Sequence, residues 1–118
     1  MRPDERDAAH LWDMLSAARE ARAIVDNVTA EQFVTDRLWL RALERTLELV
    51  GEAPRHVTPG FQAAHPEIPW RALIGQRNLL AHEYGRINHA LLYDAALQRA
   101  PMLIAALERI VGTDTSEG

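Results

Sequence analysis

Apolar residues recur along this chain at spacings of three, four and seven, the signature of helices that bury one face. The first such stretch runs from Asp4 to Asn27, where Leu11, Leu15, Ala18 and Val25 form a stripe widened by Ala8, Trp12 and Ala21. A second opens at Thr29, an N-cap with Gln32 three residues on as in a capping box, and Val28 and Phe33 are placed as a hydrophobic staple. Phe33, Leu40, Leu43, Leu47 and Val50 continue that stripe, and Gly51 is placed as the C′ residue that ends the helix. Pro54, Pro59, Gly60 and Pro66 break the pattern over 52–68, which reads as a loop with room for a short helical turn at Phe61–Ala64. A third helix is predicted from Pro69 to Tyr84 with Gly85 as its stop. A fourth is predicted from an Asn88 N-cap to Val111, with Leu92, Ala96, Leu103, Ala106 and Ile110 on one face and Pro101 as a kink. No alternating β-type run interrupts the series. The pattern predicts an all-α, up-down four-helix bundle with a kinked last helix: one helical domain over 1–112 and a polar tail over 113–118.

Composition narrows what such a bundle does. With 118 residues and 47% of them hydrophobic, one modest core is possible, and a dimer would extend it. Cysteine is absent, which removes disulfides, thiol nucleophiles and zinc ribbons. The charged start MRPDERDAAH lacks the apolar core of a signal peptide. No apolar run approaches the roughly 20 residues of a membrane span. The expected location is therefore the cytoplasm, with no membrane contact. A net charge of −4 argues against a protein that coats nucleic acid, so any contact with RNA must use a local basic site.

The segment Arg77-Asn78-Leu79-Leu80-Ala81-His82-Glu83-Tyr84 gathers a guanidinium, an amide, an imidazole and a phenol near one helix end. Such a set suits phosphodiester cleavage of RNA rather than DNA, because RNA brings its own nucleophile, the 2′-hydroxyl. His exchanges protons near neutral pH, and Arg offers a planar fork to the charge that builds on phosphorus. Neither role needs a metal or another cofactor. On an ideal helix Asn78 and His82 share a face, whereas Arg77 and His82 lie about 140° apart. That separation is awkward for one site within one chain. An isolated Arg and His on a helix are more often surface and capping residues, so spacing alone does not define the site.

Three blocks in order carry more weight: Gly51-Glu52-Ala53, Pro66-Glu67-Ile68-Pro69-Trp70, and the Arg-x4-His-x-Tyr run from Arg77 to Tyr84. Together they resemble the HepT-like toxins of the HEPN superfamily, over the chain from the second helix to the fourth. The resemblance implies an endoribonuclease toxin of a two-gene module, with Arg77 and His82 as the catalytic pair and Asn78 as the polar residue beside the Arg. It implies a minimal nucleotidyltransferase (MNT) antitoxin as partner, which transfers AMP to Tyr84 and so blocks the site with charge and bulk. It also implies a homodimer in which both motifs face one cleft, easing the angular problem. Glu52 stands as a supporting residue. The rival readings are a HEPN module that binds nucleotide or RNA without cutting, and a helical partner subunit of a nucleotidyltransferase.

The remaining candidates read more plainly. His10, His56, His65 and His89 are scattered, and His82-Glu83 lacks the second His of HExxH, so no metal site is expected. Arg37, Arg41 and Arg45 recur at i+4 among Glu44 and Glu48, a pattern that favours a solvated, salt-bridged face over a strip that guides RNA or a partner. Trp12, Trp39 and Trp70 fit core or interface anchors.

Overall fold

The computed structural model describes residues 4–82 and 89–112, and side chains over 4–78 and 92–111. Asp4 opens the first helix, α1 (Glu5–Asn27), its carboxylate accepting the Asp7 N–H at 2.7 Å. Leu11, Met14, Leu15, Ala18, Ala21 and Val25 bury the predicted face.

The second predicted helix is two. Thr29 and Gln32 form the capping box reciprocally, at 3.1 and 3.0 Å, but the helix they start, α2, covers only Ala30–Thr35. Asp36 leaves helical geometry (φ −109°, ψ 108°) and caps a new helix, α3 (Arg37–Glu52), by accepting the Leu38 N–H at 2.9 Å. A short acceptor side chain favours the N-cap over the helix interior. The break leaves the stripe intact: Phe33, Leu40, Leu43 and Leu47 join Val25, Val28, Leu92, Tyr93 and Ala96 in one core cluster. The Tyr93 hydroxyl donates to the carbonyls of Val25 and Val28, at 3.0 and 2.6 Å, and closes the end of α1.

The stretch that reads as a loop is organised. A 3₁₀ turn (Ala53–His56) continues α3, and α4 (Pro59–Ala64) follows. Gln62 Nε2 donates to the carbonyls of Pro54 and Val57, at 2.8 and 3.1 Å. Asp7, buried on α1, accepts both the Thr58 N–H (3.0 Å) and its hydroxyl (2.6 Å). Backbone groups in a buried connection must find partners, and these side chains supply them.

The next helix, α5 (Trp70–His82), starts after Pro69 as predicted. The Trp70 indole N–H donates to the carbonyls of His65 (2.9 Å) and Gln62 (3.1 Å), and its ring stands edge-on to Phe61. The last helix, α6 (His89–Leu107), runs through Pro101, which removes one main-chain donor, and finishes in a π-turn, Glu108–Gly112. The Gly85 stop, the Asn88 cap, Tyr84 and the tail lie outside the described residues. α1 packs against α3 and α6, and α5 lies on α3. The second core cluster joins Leu11, Met14, Leu15, Val50, Phe61, Trp70, Leu103 and Leu107. The result is an all-α bundle of the expected class. Among the described residues no helix is long and apolar enough to cross a membrane.

Candidate active site

The site is built where α5 presses on the end of α3. The sequence predicts a left-handed stop at Gly51; instead no glycine among the described residues has positive φ, and α3 continues through Glu52. The role of Gly51 is spatial. A Cβ there would lie well inside contact distance of the Leu73 carbonyl oxygen and of Arg77 Cβ. Only a residue without a side chain lets the α5 backbone come this near. That closeness brings Arg77 beside Glu52.

Arg77 Nε lies 2.8 Å from Glu52 Oε2, with the Arg side chain 23% exposed. One terminal nitrogen donates to Asn78 Oδ1 at 3.2 Å. The guanidinium is thus held through Nε and one terminal nitrogen and remains partly exposed, which leaves donors that can meet a phosphate oxygen. Glu52 serves more than Arg77: its Oε1 lies 3.2 Å from His56 Nε2, and its Oε2 lies 3.4 Å from Arg55. These partners hold the Glu52 carboxyl below its usual range, the His56 hydrogen bond foremost, then the charges of Arg77 and Arg55, against an opposing effect of burial. Glu52 therefore stays ionised, as a fixed anchor for Arg77 must.

His56 is stacked on His10 of α1, ring centres 5.1 Å apart and planes 25° from parallel. In the sequence both stand among scattered histidines. The i, i+4 spacing of Glu52 and His56 is the available signal, and it points past α3 into the 3₁₀ turn. Beside this pair a groove of about 390 Å³ is lined by Asp13, Glu20, Glu52, His10 and His56, an acidic surface. Among the described residues no group of three His, Asp or Glu side chains could hold a metal ion.

Of the predicted site residues, Arg77, Asn78 and Glu52 come together in one connected set. His82 falls in the last turn of α5, its side chain outside those described, and Tyr84 lies outside the described residues.

An all-α bundle that presents an anchored arginine about one and a half helical turns ahead of a histidine defines a class of helical proteins with an Arg-x4-His segment. The family model described as Ribonuclease HepT-like matches residues 14–110, which span every element from mid-α1 to the π-turn. The chain belongs to this HepT-like family of the HEPN superfamily. Among its relatives, "Probable ribonuclease HepT" of Thermococcus cleftensis is 30% identical over 86% of this chain and 92% of its own length. A protein of Caldanaerobacter subterraneus named "Putative RNase" is 32% identical over 74% of this chain and 78% of its own. One of Methanocaldococcus jannaschii, also named "Putative RNase", is 29% identical over 85% and 92%. No solved structure matches the chain.

Proposed function

We propose that this protein is a metal-independent endoribonuclease, the toxin of a HepT/MNT-type module. The observation that carries the reading is Arg77, held through Nε by Glu52 and still partly exposed, in a chain whose relatives are named ribonucleases. In the proposed reaction the RNA 2′-oxygen bonds to the adjacent phosphorus as the bond to the 5′-oxygen breaks. His82 takes the 2′-hydroxyl proton or returns one to the leaving 5′-oxygen. Arg77 stabilises the charge on the phosphoryl oxygens, and Asn78 keeps its guanidinium in plane. The product ends in a 2′,3′-cyclic phosphate.

A homodimer that joins two such sites in one cleft supports this chemistry, because a partner's His82 relieves the separation of about 140° within one helix. A groove of about 400 Å³ beside α5, lined by Leu73, Met102, Leu103 and Ala106, fits an apolar contact, and Met102 is 74% exposed there. An MNT nucleotidyltransferase is the proposed antitoxin, with Tyr84 as the AMP acceptor and the cytoplasm as the setting.

The test is RNA cleavage by the purified protein. Activity should survive excess chelator and fail on a substrate with a 2′-deoxy at the cut. Arg77→Ala and His82→Ala should each lower the rate about 10²–10⁴-fold with the helical content unchanged. Full activity in either variant would remove the assignment, and activity restored by magnesium or zinc after chelation would show metal chemistry. Tyr84→Phe should take up no AMP from MNT and ATP; uptake equal to wild type would remove Tyr84 from the role.

A further inference from the structure

Glu52 meets two arginines with one oxygen. Its Oε2 lies 2.8 Å from Arg77 Nε and 3.4 Å from a terminal nitrogen of Arg55. The two contacts differ in origin. Arg77 comes from α5, across a helix crossing, whereas Arg55 stands three residues on, in the 3₁₀ turn that continues α3. Side chains three apart in such a turn eclipse one another, so Arg55 stays beside Glu52 without help from α5. The turn is itself held: the Pro54 carbonyl accepts the Val57 N–H at 3.2 Å and Gln62 Nε2 at 2.8 Å, and Pro54 is buried. An arginine this close can grip both oxygens of a carboxylate, because its planar fork matches the pair. His56 stands in the way. Its Nε2 lies 3.2 Å from Oε1, and His10 of α1 stacks on the imidazole, ring centres 5.1 Å apart. Arg55 is left with its 3.4 Å contact to Oε2. All four side chains are partly exposed, so each pair alone would hold weakly; joined through one carboxylate they act as a network.

We propose that His56 is a positioning residue for Arg77: by holding Glu52 Oε1 it denies Arg55 a two-oxygen grip and reserves Oε2 for the Arg77 Nε–H. His10 backs the imidazole and so joins α1 to the site. Neither histidine touches the phosphate; both act through the carboxylate. The role requires a donor at the place of His56 Nε2 and no proton transfer, so an amide of similar reach can replace it. Without that donor the carboxylate turns to Arg55, and Arg77 keeps its charge but loses its fixed direction. The proposal rests on the ribonuclease reading only for the reaction that Arg77 serves; the hold on its Nε–H is a property of the chain itself.

The Arg77 Nε–H signal in heteronuclear NMR, assigned by its loss in Arg77→Lys, reports the hold directly. It should exchange slowly with water in the wild type and about tenfold faster in His56→Ala, the cost of one charge-assisted hydrogen bond. Exchange should be slow again in His56→Gln, which restores a donor, and in His56→Ala/Arg55→Gln, which removes the competitor. RNA cleavage should follow the same order, with kcat about fivefold lower in His56→Ala, KM within about twofold of wild type, and recovery in the other two variants. His56→Ala should add nothing to the loss in Glu52→Gln, because it acts through that carboxylate. A His56→Ala/Arg55→Gln chain as impaired as His56→Ala would overturn the proposal, since a merely structural histidine is not replaced by deleting its neighbour. The expected exchange pattern in a chain that cuts no RNA would sink the ribonuclease reading and leave the positioning role standing. Cleavage by the wild type with equal exchange in every variant that keeps Arg77 would do the reverse.

Discussion

The two flanks of α5 are finished differently. Toward α3 the helices meet at backbone distance: Gly51 has no side chain, Leu73 and Arg77 sit over it, and a polar seam of Glu52, His56 and Asn78 locks the guanidinium. Toward α6 a groove of about 400 Å³ remains between Leu73, Arg99, Met102 and Ala106. One flank is closed by backbone shape and fixed charge; the other is apolar and open. The difference teaches that the position of Arg77 is set within one chain, by α3, whereas the α6 side leaves room where the proposed second copy would bind. A rigid half and a receptive half on one helix suit a site shared between two copies.

The sharpest way to break this contrast is Gly51→Val. Two branches where a single Cβ already collides should push α5 off α3 and cost about 3 kcal/mol. Denaturant unfolding should show it, with Arg77-dependent activity falling in parallel; a stability within error of wild type would mean that the close flank is not close. Next in size is Glu52→Gln, which keeps the shape and removes the charge. RNA cleavage should fall about tenfold, since a loosened arginine still reaches phosphate but is no longer oriented. Unchanged cleavage would reduce the seam to surface decoration. Met102→Glu probes the other flank. It should leave the monomer's unfolding midpoint unchanged, shift light scattering toward the monomer, and lower cleavage at low protein concentration. An unaltered dimer would place the contact elsewhere.

The smallest expected effect concerns pH. The Glu52 carboxyl titrates lower in the folded chain than in the unfolded one, so its stabilisation is present in full above the ordinary carboxylate range and is lost as pH falls through its folded value. The gap in melting temperature between wild type and Glu52→Gln should therefore be constant near neutrality and close in acid. A gap that widened on acidification would contradict the sign.

Much of the fold is legible because local chemistry and burial agree. The Thr29–Gln32 box and the stripe from Phe33 to Val50 behave as their sequence says, and the first helix starts one residue after the expected Asp4, which caps it. The break at Asp36 is hidden by that same stripe: Phe33 and Leu40 stand seven apart and both are buried, so the apolar phase passes through a cap without a trace. Gly51 shows the limit more clearly. A glycine near a helix end has two physical uses, a left-handed turn or a close approach, and only the neighbouring helix decides between them. The Glu44 carboxylate alternates with arginines as a surface residue would, yet it is buried because α3 packs on more than one side. Of the site, the motif is readable in the sequence. The anchoring of Arg77 by Glu52 joins residues 25 positions apart, a pairing that depends on the helix crossing.

The buried indole at the foot of α5 turns the protein into its own optical instrument. Trp70 is 7% exposed, wedged against Phe61 with its N–H bonded to two carbonyls, while Trp39 is 40% exposed. With Trp12, the third and partly buried indole, replaced by Phe, the two should report separately: Trp39 emission should be quenched by iodide at once, and Trp70 emission only after α5 has left its seat. Time-resolved fluorescence on the Trp12→Phe chain can thus follow the departure of the helix that carries Arg77 without any attached dye, and can tell a local detachment from collapse of the whole bundle.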